Sequence, residues 1–193
     1  VTGGLGIVTV VVCMFFAAIS GSAVATVSAV GAFMIPEMVE HGYDKKFSAA
    51  LTAAAGTIGV VIPPSIPFVI YGVVSGTSIT DLFTAGFLPG IMMGLALILV
   101  CYLVSKKHGY KGKGSRSSLK EIGKSFKEAI WAILSPVIIL GGIYTGFFPP
   151  TEAAVVSVVY SFIIGTFVYK ELSFKGAYKA FKDAVVVNGS TTF

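Results

Sequence analysis

Charge is what this sequence has least of. Of 193 residues, 12% are Asp, Glu, Lys or Arg, about half the usage of an ordinary soluble domain, while the mean hydropathy is +0.89. A soluble fold of this length could not cover its surface with so few charges. Cysteine is scarce as well. Cys13 and Cys101 each sit inside an apolar run, which excludes a disulfide framework and a CxxC metal site. His41 and His108 both fall in charged segments, so a paired-histidine site is excluded too, and neither a transition metal nor an organic cofactor is expected. With no HExxH pair, no paired aspartates and no Ser/His arrangement in an apolar run, the chain does not read as an enzyme. It lacks a basic segment followed by a small-residue cleavage site, opens on Val1 inside an apolar run and closes on the mostly apolar VVVNGSTTF. Both ends read as cuts, and the expectation is an internal fragment of a larger membrane protein.

What is present is long stretches free of charge: 1–36, 47–80, 82–105, 129–151 and 153–169. Each reaches the roughly 17–25 apolar residues that cross a hydrocarbon core as helix. A β-barrel would show short alternating segments instead. The expected fold is an all-α polytopic membrane protein.

The net charge of +5 is no sign of a nucleic-acid partner, because its distribution follows the membrane. All 14 Lys and Arg fall in three clusters. Lys45 and Lys46 follow the first apolar block, eight more fill 106–128, and Lys170, Lys175, Lys179 and Lys182 follow the last full span. Counting crossings puts the three clusters on one side, which the positive-inside rule makes the cytoplasm. The opposite side receives only short connections bearing Asp81 and Glu152. Localisation in a bacterial or archaeal inner membrane, with loop 106–128 cytoplasmic, is the expectation.

Two basic stretches have an apolar face. Leu119, Ile122 and Phe126 oppose Lys120, Lys124 and Lys127, with Ser118 and Glu121 at capping-box spacing. In 171–193, Phe174, Tyr178, Phe181 and Val185 oppose Lys175, Lys179 and Lys182. Both are expected to lie in the bilayer interface. Between the last span of the first half and the first of these stretches, GYKGKGSRSS (109–118) is a flexible linker by composition.

Two apolar runs are interrupted. In 47–80, the stretch GTIGVVIPPSIP (56–67) sets Gly56, Thr57 and Gly59 ahead of Pro63, Pro64, Ser65 and Pro67. Proline brings no N–H and leaves carbonyls free, and irregular backbone at membrane depth survives only where protein or a water-filled cavity satisfies it. A plain structural kink is one reading; a discontinuous helix whose carbonyls and helix N-terminus hold an ion and an anion is the other. In 1–36, the small polar turn Ser20, Gly21, Ser22 joins two apolar arms. The second arm, 23–35, is about 20 Å of helix and short of a crossing, which favours a re-entrant hairpin over two ordinary spans. A third feature is Thr151 and Glu152 after Pro149-Pro150. A carboxylate there either complements a helix dipole or serves gating.

The ordered motifs SGSAVAT, GTIGVVIPPSIPFVIYG with SITDLFTAGFLPG, and GGIYTGFFPPTEAA resemble the large membrane subunit of the TRAP (tripartite ATP-independent periplasmic) transporters, often called DctM, over essentially all of this chain. The resemblance implies an elevator-type, Na⁺-coupled importer of organic acids, C4-dicarboxylates or other carboxylates such as sialic acid. It implies as partners a small membrane subunit (DctQ-like), a periplasmic substrate-binding protein (DctP-like), the carboxylate substrate and the lipid bilayer. It further implies that Ser20, Gly21 and Ser22 form a hairpin tip and Gly56, Thr57, Gly59, Pro63, Pro64 and Ser65 an unwound stretch, which together hold Na⁺ beside the substrate. One departure stands out: members of the family commonly carry Thr-Pro-Thr-Glu where this chain has Pro149-Pro150-Thr151-Glu152. A stand-alone Na⁺- or H⁺-coupled carboxylate carrier and an ion channel are the alternatives.

Overall fold

The computed structural model describes residues 2–110 and 119–192, and the side chains of all of these except 119–122 and 187–192. Most of the linker over 109–118, the Ser118–Glu121 cap, and Leu119, Lys120 and Ile122 of the first amphipathic stretch therefore lie outside what is described.

Local chemistry sets the helix ends. Helix α1 (Gly4–Ser20) closes on Gly21, whose left-handed backbone (φ +61°) lets its N–H reach the Ala17 carbonyl at 3.0 Å. Ser22 then caps α2 (Ala23–Glu40) by accepting the Ala25 N–H. Asp44 caps α3 (Lys45–Gly56) through the Phe47 N–H at 2.9 Å. A 3₁₀ turn (Thr57–Val60) and an irregular stretch through Ser65 lead to α4 (Ile66–Ser75). Helix α5 (Ile79–His108) is capped by Ser78 and bears Asp81 in its first turn and Lys106, Lys107 and His108 in its last, charges that match its dipole. Helices α6 (Leu119–Tyr144), α7 (Pro150–Ile163), which runs on into a π-helical turn (Ile164–Val168), and α8 (Phe174–Thr192) follow.

Among the described residues, four helical segments are long and apolar enough to cross a membrane: Ala23–Glu40, Ile79–His108, Gly123–Tyr144 and Pro150–Val168. Gly4–Ser20 and Ile66–Ser75 are apolar but shorter. Two boundaries differ from those read in the sequence. Helix α2 does not stop at Pro36 but continues to Glu40, which makes the second arm long enough to cross and removes the length argument for a re-entrant hairpin. Met34 and Met38 on either side are buried in the core, so packing holds the helix across a proline that deprives only one carbonyl of its donor. Likewise, no break separates an interfacial segment ending at 128 from a span starting at 129; α6 runs through both.

The chain divides into two compact units, Val1–Lys127 and Glu128–Phe193. In the first, α1, α2 and α3 pack on one another and α5 lies along α1, around Val10, Cys13, Val30, Met38, Leu51 and Cys101. Lipid is as apolar as these side chains, so close approach of small residues rather than the hydrophobic effect must hold such helices together. In the second unit, two tyrosines tie the chain after α6 back to it: Tyr160 Oη donates to the Trp131 carbonyl at 2.6 Å and Tyr169 Oη to the Glu128 carbonyl at 2.7 Å.

Candidate functional site

The turn between α1 and α2 and the break between α3 and α4 meet. Ile66 N–H, the first of α4, donates to the Gly21 carbonyl at 3.2 Å. Gly21 lies so close to the break that a Cβ on it would fall 2.7 Å from the Pro64 carbonyl oxygen. On the other side of the break, a Cβ on Gly59 would fall 2.9 Å from Thr26 Oγ1 and 3.0 Å from the Ser22 carbonyl oxygen. The contact is possible only because glycine occupies both positions.

The backbone of the break supplies oxygens that a helix would have consumed. A helix would satisfy the Gly59 carbonyl from Ile62 or residue 63, but the Ile62 N–H bonds Ile58 at 2.9 Å and Pro63 has none. Val60, which loses its donor to Pro64, accepts Ser65 Oγ at 2.8 Å instead. Ser65, 1% exposed, also caps α4 through the Phe68 N–H. Pro63 is fully buried.

At the turn, the hydroxyls form a compact set. Thr26 Oγ1 donates to the Ser22 carbonyl at 2.8 Å and lies 3.0 Å from Ser20 Oγ, and Ser20 Oγ accepts the Ser22 N–H at 3.3 Å. No ionisable side chain takes part. Its electrostatics come from helix ends: the carboxyl end of α1 beside the amino ends of α2 and α4. Oxygens of this kind suit a hard cation, and the positive end of the α2 dipole suits an anion, whereas the first-turn N–H groups of α4 are already bonded to Gly21 and Ser65.

Of the residues singled out in the sequence, Ser20, Gly21, Ser22, Gly59, Pro64 and Ser65 come together here. Gly56 lies one turn away, tight against Val27. Thr57 does not join them; it is exposed, and its hydroxyl donates to the Ala54 carbonyl of its own helix at 2.7 Å. Thr151 and Glu152 are exposed in the first turn of α7, in the second unit. The residue missed was Thr26, fully buried at the centre of the cluster. Its signal was the i, i+4 spacing from Ser22, which stacks the two on one helix face. Also missed was the face of α5 made by Gly86, Gly90 and Gly94, which sits on Val61, Ile62 and Met14 and backs the break; its signal was glycine at every fourth position.

A turn that meets an unwound stretch, among helices apolar enough to span a bilayer, is a construction that secondary transporters use. The chain belongs to the family described as the tripartite ATP-independent periplasmic transporter, DctM component, whose pattern it matches over residues 1–193. It is 55% identical over 171 residues to the isethionate TRAP transporter permease protein DctMQ of Oleidesulfovibrio alaskensis, covering 89% of this chain and 27% of that protein. It is 43% identical to the sialic acid TRAP transporter permease protein SiaT of Haemophilus influenzae, covering 97% of this chain and 30% of the relative. With the C4-dicarboxylate TRAP transporter large permease protein DctM of Pseudomonas aeruginosa it shares 47% identity, covering 89% and 40%. The chain thus spans between about a quarter and two fifths of the length of these relatives, all of which are named as permeases and none as an enzyme.

Proposed function

We propose that this chain forms part of the large membrane subunit of a Na⁺-coupled importer of organic acid anions, working with a small membrane subunit and a periplasmic substrate-binding protein in a bacterial or archaeal inner membrane. The observation that carries the reading is the meeting of the Ser20–Ser22 turn with the break at Gly59–Ser65, where hydroxyls and a carbonyl freed by Pro63 gather without any side-chain charge. Na⁺ is held by oxygens of that set, with Ser20 and Ser22 in the turn and the backbone around Gly59 in the break. The substrate's anionic group sits beside it, where the amino end of α2 and the cation's own charge offset its own. Adjacent binding couples the two ligands, so that Na⁺ flow drives uptake. The turn between α1 and α2 is the tip of a re-entrant hairpin, and the first unit carries the site in an elevator-type movement with the basic loop 106–128 facing the cytoplasm.

The substrate class is wider than carboxylates. The relatives are named for isethionate, sialic acid and C4-dicarboxylates, and isethionate is a sulfonate. What the three share is a compact, delocalised negative charge, and that is what helix amino ends and a bound cation recognise.

The test uses the full-length subunit with its small partner and binding protein in liposomes, with a panel of labelled carboxylates and isethionate. Uptake should require both an inward Na⁺ gradient and the binding protein. Ser22→Ala at unchanged expression should lose most Na⁺-dependent uptake; full uptake by that variant would sink the site assignment. Uptake without the binding protein would mark a stand-alone carrier, and non-saturable flux a channel.

A further inference from the structure

Thr26 lies deepest in the cluster of hydroxyls at the turn, and the shortest contacts in that cluster favour one arrangement of its protons. Thr26 has a single hydroxyl proton, and its Oγ1 is 2.8 Å from the Ser22 carbonyl oxygen, which can only accept. With the Thr26 proton committed to that 2.8 Å contact, Ser20 donates at the 3.0 Å contact and Thr26 accepts; the reverse order would leave Ser20 donating to the Ser22 carbonyl over the longer 3.3 Å. The Ser22 N–H, in turn, donates to Ser20 Oγ at 3.3 Å. The result is a closed ring: Ser22 N–H to Ser20 Oγ, Ser20 O–H to Thr26 Oγ1, Thr26 O–H to the Ser22 carbonyl. That carbonyl also accepts the Thr26 N–H at 3.0 Å, so both its lone pairs are used.

Counting lone pairs gives the consequence. The Ser20 proton is turned inward to Thr26, which leaves the remaining lone pair of Ser20 Oγ directed out of the ring. The Ser22 carbonyl has nothing left to offer. Without the Thr26 hydroxyl, the proton of Ser20 would have the Ser22 carbonyl at 3.3 Å as its acceptor and would swing toward the turn itself. We propose that Thr26 is a positioning residue for the proposed Na⁺ site: by accepting the Ser20 proton it presents Ser20 Oγ to the cation as a pure acceptor, while holding the turn against Gly59. Thr26 touches neither ion nor substrate. The inference rests on the Na⁺-coupled reading above and deepens it by assigning a role to a residue next to the ligands.

Valine has the shape of threonine without its hydroxyl, so Thr26→Val removes the ring and keeps the packing against Gly59. In the full-length transporter with its partners in liposomes, Thr26→Val should raise the Na⁺ concentration for half-maximal uptake by about three- to tenfold, the scale of one hydrogen bond, with the maximal rate at saturating Na⁺ retained. Thr26→Ser, which restores the hydroxyl, should return the Na⁺ dependence to wild type. In a Ser20→Ala background, Thr26→Val should add no further shift, because the residue acts through Ser20. Should the valine variant not assemble, Thr26→Ala against Thr26→Ser provides the same comparison. An unchanged Na⁺ dependence in Thr26→Val, or a drop in maximal rate alone, would overturn the role while leaving the Na⁺ site standing. Wild-type uptake indifferent to Na⁺ would overturn the underlying reading instead, so the two failures are told apart.

Discussion

At Gly59 a single methyl group has nowhere to go, since a Cβ there would press on Thr26 Oγ1 and on the backbone of Ser22 at 2.9–3.1 Å. Gly59→Ala should therefore destabilise the purified protein by about 1–3 kcal/mol, the cost of overpacking, read as a lower unfolding temperature in detergent. Gly141 supplies the opposite sign. It lies inside α6, and a Cβ added to it would meet nothing within 4 Å, so Gly141→Ala should stabilise by about 0.5–1 kcal/mol through reduced freedom of the unfolded chain. Glycine content alone does not tell these two apart, because the sequence says that backbone can approach closely but not where something approaches it. Thr57 makes the same point in reverse. Adjacent to Gly56 and inside the interrupted stretch, it nonetheless turns outward and satisfies itself on Ala54, so Thr57→Ala should leave Na⁺-dependent uptake unchanged, whereas Ser22→Ala should abolish most of it.

Whole elements were easier to read than their ends. The break in 47–80 was legible because prolines without N–H groups and glycines cluster within a dozen residues, and no tertiary contact can restore a missing donor. Pro36 carries the same chemistry and yet α2 runs through it, since the burial of Met34 and Met38 against α1 and α3 outweighs one unfilled carbonyl. A single proline does not distinguish the two cases; the number of breakers in the window does. On α5, the seat of the break is set by Gly86, where a Cβ would fall 2.5 Å from the Val61 carbonyl oxygen. Gly86→Val should push α5 off the break and lower both the unfolding temperature and the uptake rate, whereas Ala at Leu95, exposed on the same helix, should do neither. Helix α8 keeps Phe174, Tyr178, Phe181 and Val185 exposed along with its lysines, and an exposed apolar stripe beside a basic one is suited to the bilayer interface. With Trp131 replaced by Phe and Phe181 by Trp, brominated lipids in a nanodisc should quench the emission; an unquenched signal would take α8 out of the interface.

For the molecule as a whole, one cluster of aromatic rings gathers distant parts of the first unit. Tyr43 stacks on Tyr110 with centroids 4.5 Å apart, Tyr110 accepts the Gly3 N–H through its carbonyl at 3.1 Å, and the Asp44 N–H donates to its hydroxyl at 3.3 Å. The start of α1, the connection from α2 to α3 and the end of α5 thus meet at one point. Tyr43 is 3% exposed and its hydroxyl forms no hydrogen bond of normal geometry. Burial pushes its phenol pKa up, and the nearby amides of Gly6 and Leu5 offset this only in part. A folded-state pKa above the unfolded one means that the folded form holds its proton more tightly. The associated stability is present at neutral pH and is lost as pH rises past the range where free tyrosine ionises. Tyr43→Phe should flatten that alkaline loss in a plot of unfolding temperature against pH.

The lengths of α3 and α4 have a consequence of another kind. With 12 and 10 residues, they measure about 18 and 15 Å, nearly equal arms on either side of the break. In the proposed Na⁺ site, a cation seated between them would have crossed about half of the membrane's electric field, worth about 1.2 kcal/mol for each 100 mV. On that proposal the cation's affinity would depend on the membrane potential as well as on the sodium outside, with polarisation favouring loading while the site is open to the outside. The two short helices would then make the break a voltage divider, with the bilayer's own potential helping to drive the ion into place.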